Sequence, residues 1–118
     1  MPTPTETVIA FLAQWDRPGG LADAIRRTFT AETVWENVGM SKTTGVEPAM
    51  AVLAGFGQDA DTLIMRVEVL SIAAQGGADK ASVLTERIDH ILDPTGKSVI
   101  AFPVMGIFEV ADGKILAW

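Results

Sequence analysis

The sequence predicts one α+β domain in which helices come first and a meander of antiparallel strands follows. Two observations predict it. Apolar residues recur at helical spacing through the first half, and from about Thr62 the period changes to alternation. Helices followed by a run of strands is the order of an α+β domain, not of alternating βα units. The length agrees, because 118 residues suit a single domain spanning 1–118. So does the composition: 48% hydrophobic and 20% charged residues can form a core.

The elements follow in order. Thr3-Pro4-Thr5-Glu6 is a helix start: Thr3 caps, Pro4 suits the first helical position, and Glu6 completes a capping box. Val8, Ile9, Phe11, Leu12 and Trp15 then keep helical spacing until Pro18-Gly19-Gly20 breaks it. A second short helix is predicted over 21–29 and a strand over 33–38. A third helix is predicted over 45–56, entered through Glu47-Pro48 and closed at Gly55-Phe56-Gly57. Strands are predicted over 63–73 and 81–92, joined by Gln75-Gly76-Gly77-Ala78. Asp93-Pro94-Thr95-Gly96 is the next turn. Residues 98–110 are apolar on both faces, which predicts a central strand covered on both sides. Ala111-Asp112-Gly113 turns into a last strand over 114–118. Helices against one face of a long, curved sheet leave a pocket between the layers, a default place for a ligand. Residues 39–44 and 56–61 are expected at its rim.

Charge and composition exclude several classes. A net charge of −6 with no basic run disfavours nucleic acid and anionic membranes. The chain has no cysteine, so disulfides and thiolate metal sites are excluded, and His90 is its one histidine. MPTPTETV has no basic n-region, and no apolar run approaches about 18 residues. The expectation is a soluble, cytoplasmic protein without a cofactor.

The stretch TERIDHIL, residues 85–92, places charges in a strand. Side chains alternate, so Arg87 and Asp89 share a face with Val83, Thr85 and Ile91. Leu84, Glu86, Ile88 and His90 share the other. On the strand over 33–38, Trp35 and Asn37 share a face. Spacing alone leaves two readings open. The pair is a solvated surface ion pair of little energetic consequence, or it is a buried pair in a pocket, where a charge needs its partner.

Three segments resolve the choice by resemblance. VWENVGM (34–40), VLTERIDHI (83–91) and TGKSVIAFPVMGIFEVADGKILAW (95–118) together resemble the limonene-1,2-epoxide hydrolase family. The resemblance implies a cone-shaped α+β fold, shared with nuclear transport factor, ketosteroid isomerase and polyketide cyclases. In that fold helices close a strongly curved, mostly antiparallel mixed sheet around a deep apolar pocket, and homodimers are frequent. It implies one-step hydration of a small apolar epoxide to a vicinal diol, without metal or covalent intermediate. By motif position, Asp89 matches the acid, Arg87 the arginine between two carboxylates, and Asn37 the water-holding asparagine. Trp35 stands where the family has tyrosine; an indole N–H donates but cannot accept from water. Met40, Phe102, Val104, Met105 and Phe108 are expected to line the substrate site with Trp35. The family's basic aspartate stands two residues past the tryptophan that matches Trp118, so the natural chain is expected to continue beyond it. An isomerase or cyclase using the same pocket, or a non-catalytic domain binding a small ligand, are the alternative functions.

Overall fold

A computed structural model describes residues 2–55 and 61–118. The capping box forms as predicted: the Glu6 amide donates to Thr3 Oγ1 at 3.1 Å, and the Thr3 amide donates to Glu6 Oε1 at 2.9 Å. It opens helix α1 (Pro4–Ala13), which buries Val8, Phe11 and Leu12. Helix α2 (Gly20–Thr28) runs into strand β1 (Phe29–Asn37) without a loop. Strand β2 (Ser41–Thr44) pairs back on β1, so the expected rim loop is instead a short edge strand. Helix α3 (Val46–Ala54) begins as predicted after Gly45. Its predicted last turn at Phe56, and most of the rim segment after it, fall outside the described residues.

The meander is β3 (Met65–Gly76), β4 (Lys80–Leu92), β5 (Ser98–Ala111) and β6 (Lys114–Ala117). The six strands form one sheet in the order β2-β1-β6-β5-β4-β3. All pairs are antiparallel except β1 with β6, which makes the sheet mixed. Asp112 and Gly113 both adopt positive φ, 54° and 72°, and make the tight β5–β6 turn. In the β4–β5 turn, Asp93 accepts from the Thr95 hydroxyl and from the Thr95 and Lys97 amides. Those bonds, the Thr95 hydroxyl's above all, hold its carboxyl below the usual value. Bulges between Val69 and Ser71 and between Glu109 and Val110 bend the strands.

Helix α1 packs on β3, β4 and β5. The core between the layers is aromatic. Phe11 lies 5.7 Å from Trp15, 6.1 Å from Phe29 and Phe108, and 5.2 Å from Trp118, centroid to centroid. These rings fill the space where a deep pocket was expected, and no deep pocket is found among the described residues.

The other correction concerns β5. Its centre in the sheet order is as predicted, but it is not covered on both faces. Val99, Ile100, Phe102, Met105 and Ile107 are exposed. β6 is paired with it only from Glu109 to Ala111, so from 98 to 107 it bonds β4 alone among the described residues. An apolar pattern shows that a strand favours being covered; it does not show what covers it. Among the described residues no helix is long and apolar enough to cross a membrane.

Candidate active site

Strict alternation along β4 decides the face of TERIDHIL. Ala81, Val83, Thr85, Arg87, Asp89 and Ile91 are all buried toward the helices. Leu84 is exposed on the far side. Arg87 is 2% exposed and Asp89 6%. The surface-pair reading is therefore excluded.

The pair is two-pronged: Arg87 Nε donates to Asp89 Oδ1 at 3.1 Å and Nη2 to Oδ2 at 3.0 Å. Parallel N–H bonds to both carboxylate oxygens fix the guanidinium plane as well as its charge. The third bond runs from Nη1 to Thr85 Oγ1 at 3.0 Å. The guanidinium carbon lies 5.9, 5.8 and 6.0 Å from the ring centroids of Trp15, Phe108 and Trp118, an aromatic surround that attracts a cation. Burying two charges costs several kcal/mol each unless they are paired and hydrogen-bonded. Here they are both.

Cross-strand register places the neighbours. Arg87 stands opposite Val104, Asp89 opposite Phe102, Thr85 opposite Gly106, and Val83 opposite Phe108. Directly opposed residues share a face, so Phe102, Val104 and Phe108 lie on the pair's side. Met105 stands opposite Glu86, on the outer face, and is 83% exposed. Its expected place in the substrate site is corrected: one residue along a strand reverses the face. Met40 lies in the β1–β2 turn and is 80% exposed.

Trp35 is buried and stacks on Trp118 at 5.0 Å with 7° between the planes. Trp118 stacks in turn on Phe108 at 5.2 Å and 14°. The backbone secures this stack, because Trp118 N donates to Val34 O and Glu36 N to Trp118 O. Asn37 follows Trp35 on the same face, half-buried, with Nδ2 donating to Ser41 Oγ at 3.2 Å. Among the described residues no hydrogen bond joins Asn37 to the Arg87–Asp89 pair. His90 faces away, bonded to Ser98 Oγ at 2.9 Å and Glu68 Oε1 at 3.4 Å. It fastens three strands together outside the site.

Three contributors were not legible as such. Thr85 was visible only as a face neighbour, although its two-residue offset from Arg87 puts a hydroxyl beside a guanidinium. Trp15 read only as part of a helical pattern and Trp118 only as a match to the family's tryptophan, and only the tertiary fold brings them round Arg87.

A model of the limonene-1,2-epoxide hydrolase catalytic domain matches residues 2–118. Epoxide hydrolase EphG of Mycobacterium tuberculosis is 34% identical over 102 residues, covering 81% of this chain. The chain spans only 58% of the length of that relative. In structure, an M. tuberculosis LEH-like epoxide hydrolase matches all of this chain and 79% of its own, with TM-score 0.71 and 29% identity. A provisionally assigned SnoaL-like polyketide cyclase from Jannaschia sp. CCS1 matches 96% of this chain and 80% of its own, with TM-score 0.61 and 21% identity. That last likeness is one of fold alone.

Proposed function

The chain belongs to the limonene-1,2-epoxide hydrolase family, and from that premise we propose that it adds water to a small apolar epoxide, giving a vicinal diol in one step. The observation that carries the reading is the buried, two-pronged Arg87–Asp89 pair on the helix-covered face. An epoxide is strained, but its leaving alkoxide is poor. A proton delivered as the ring opens removes the developing charge. Asp89 is the acid of this reading. One C–O bond of the ring breaks, and its oxygen takes the Asp89 proton. A new C–O bond forms to water, whose proton goes to a base.

Arg87 holds the Asp89 carboxyl in one orientation and can face a second carboxylate at the same time. Five N–H donors are available to it and three are used. The second carboxylate is the base. In the family pattern that base stands two residues past the tryptophan that Trp118 matches. That position is compatible with the fold: β6 runs antiparallel to β5, and a strand prolonged in that direction would follow the unpaired edge of β5. A residue two past Trp118 would share its face, toward Arg87. Asn37 orients the water; Nδ2 gives one of its two N–H groups to Ser41, and its Oδ1 accepts a hydrogen bond from the water, whose proton leaves to the base.

The exposed apolar outer face supports a homodimer as the working form. Leu84, Met105 and Ile107 lie together there, with Leu70 and Val99 also exposed, and an apolar patch of this kind marks an interface.

The test uses protein expressed from the full natural reading frame and a panel of small apolar epoxides. Diol should form with the wild type and fall by roughly a hundredfold or more with Asp89→Asn. Undiminished turnover by that variant removes Asp89 from the reaction. Turnover of a ketosteroid with no epoxide activity would favour an isomerase instead.

A further inference from the structure

Arg87 has an acceptor that the hydrolase reading does not use. Thr85 Oγ1, 3% exposed, accepts from Arg87 Nη1 at 3.0 Å and donates to the Gly106 carbonyl at 3.2 Å. A hydroxyl has one proton to give. By giving it to the strand opposite, Thr85 is left to turn its lone pairs toward the guanidinium. The donor direction is therefore fixed by backbone pairing, not by a mobile side chain.

Gly106 supplies the other half of this arrangement. It sits in an apolar strand interior, where glycine weakens a strand and commonly marks close approach. The approach here is by the guanidinium. A Cβ on Gly106 would lie 2.6 Å from Arg87 Nη1, and 3.4 Å from both Thr85 Oγ1 and Trp118 Nε1. Any side chain at 106 would push Nη1 off its seat. Thr85 and Gly106 stand directly opposite each other in the β4–β5 register, so both act at the same corner of the guanidinium.

We propose that Thr85 and Gly106 form a seat that sets the plane of the Arg87 guanidinium, which makes Thr85 a positioning residue for the Arg87–Asp89 pair. Asp89 holds the Nε–Nη2 side and Thr85 holds Nη1. With three bonds in place the fork has one orientation, and its two remaining N–H groups have fixed directions. Their acceptor is an oxygen of the reacting site. The functional part of this inference rests on the epoxide hydrolase reading; the seat itself does not.

The experiment measures two things on Thr85→Val, Thr85→Ser and Gly106→Ala. The first is solvent exchange of the Arg87 Nη1–H by NMR, assigned with Arg87→Lys. The second is the pH–rate profile of epoxide hydration. Thr85→Val keeps the shape and removes the hydroxyl. It should speed Nη1–H exchange by on the order of tenfold, the effect of losing one hydrogen bond to a charged group. Hydration should fall roughly tenfold to a hundredfold through misplacement, and the alkaline limb of the profile should move. Thr85→Ser should restore both readouts, and Gly106→Ala should reproduce the loss. A folded Thr85→Val with wild-type exchange and a wild-type profile, altered only in melting temperature, overturns the proposal. If no variant and no wild type hydrates an epoxide, but exchange responds as stated, the seat stands and the hydrolase reading fails.

Discussion

At the scale of single residues, the account turns on a paired charge in a dry place. Arg87→Met should destabilise the fold by about 3–5 kcal/mol, because it leaves the Asp89 carboxylate buried without its partner. Denaturant unfolding of the two proteins measures that difference. Replacing both residues with apolar ones of similar volume should cost much less, and could even stabilise, since no orphan charge remains. The double variant should be inactive all the same. The sequence alone showed which residues share a face on β4, because alternation is a local property. It did not show which face was covered. The resemblance supplied that, and the burial of Arg87 and Asp89 now supports it independently. Met105 was misplaced for a simple reason. The strand is apolar at successive positions, so composition could not say that 104 and 106 face inward while 105 faces out. Gly106 carried no visible signal as a partner of Arg87, because register between strands is a tertiary fact.

At the scale of elements, the start of α1 was the most legible feature, since its capping box is written in four consecutive residues. Thr3→Ala should cost about 1 kcal/mol of stability through loss of the cap. The same cap is sensitive to acid. Hydrogen bonds from the Thr3 amide first, and from its hydroxyl second, hold the Glu6 carboxyl below its ordinary value of 4.5. A lowered carboxyl stabilises the fold above its unfolded value, and that contribution is lost as pH falls through the lower, folded value. Acid titration of wild type and Glu6→Gln, followed by helix circular dichroism, should therefore converge below that range and differ above it. Strand β2 was not legible. Four residues, Ser-Lys-Thr-Thr, carry no apolar alternation, and they are held as a strand only by pairing with β1. The unpaired stretch of β5 was not legible either, because its neighbours are set by how far β6 runs.

At the scale of the whole molecule, two surfaces look for company: the outer face of β3, β4 and β5, and the edge of β5. A charge placed on the outer face should separate the proposed dimer. Met105→Glu, exposed in the single chain, should sediment as a monomer where the wild type sediments as a dimer, with little change in melting at low protein concentration, where both are monomers. A monomeric wild type, or a dimeric variant, would move the interface elsewhere. The central claim, however, is direct attack of water on an epoxide at the Arg87–Asp89 pair. A single turnover in ¹⁸O-water, with enzyme in excess over epoxide, tests it most directly. The account predicts a diol carrying one ¹⁸O from the first turnover. An unlabelled diol would mean that the oxygen came from a carboxylate of the protein through a covalent ester, and would contradict the account.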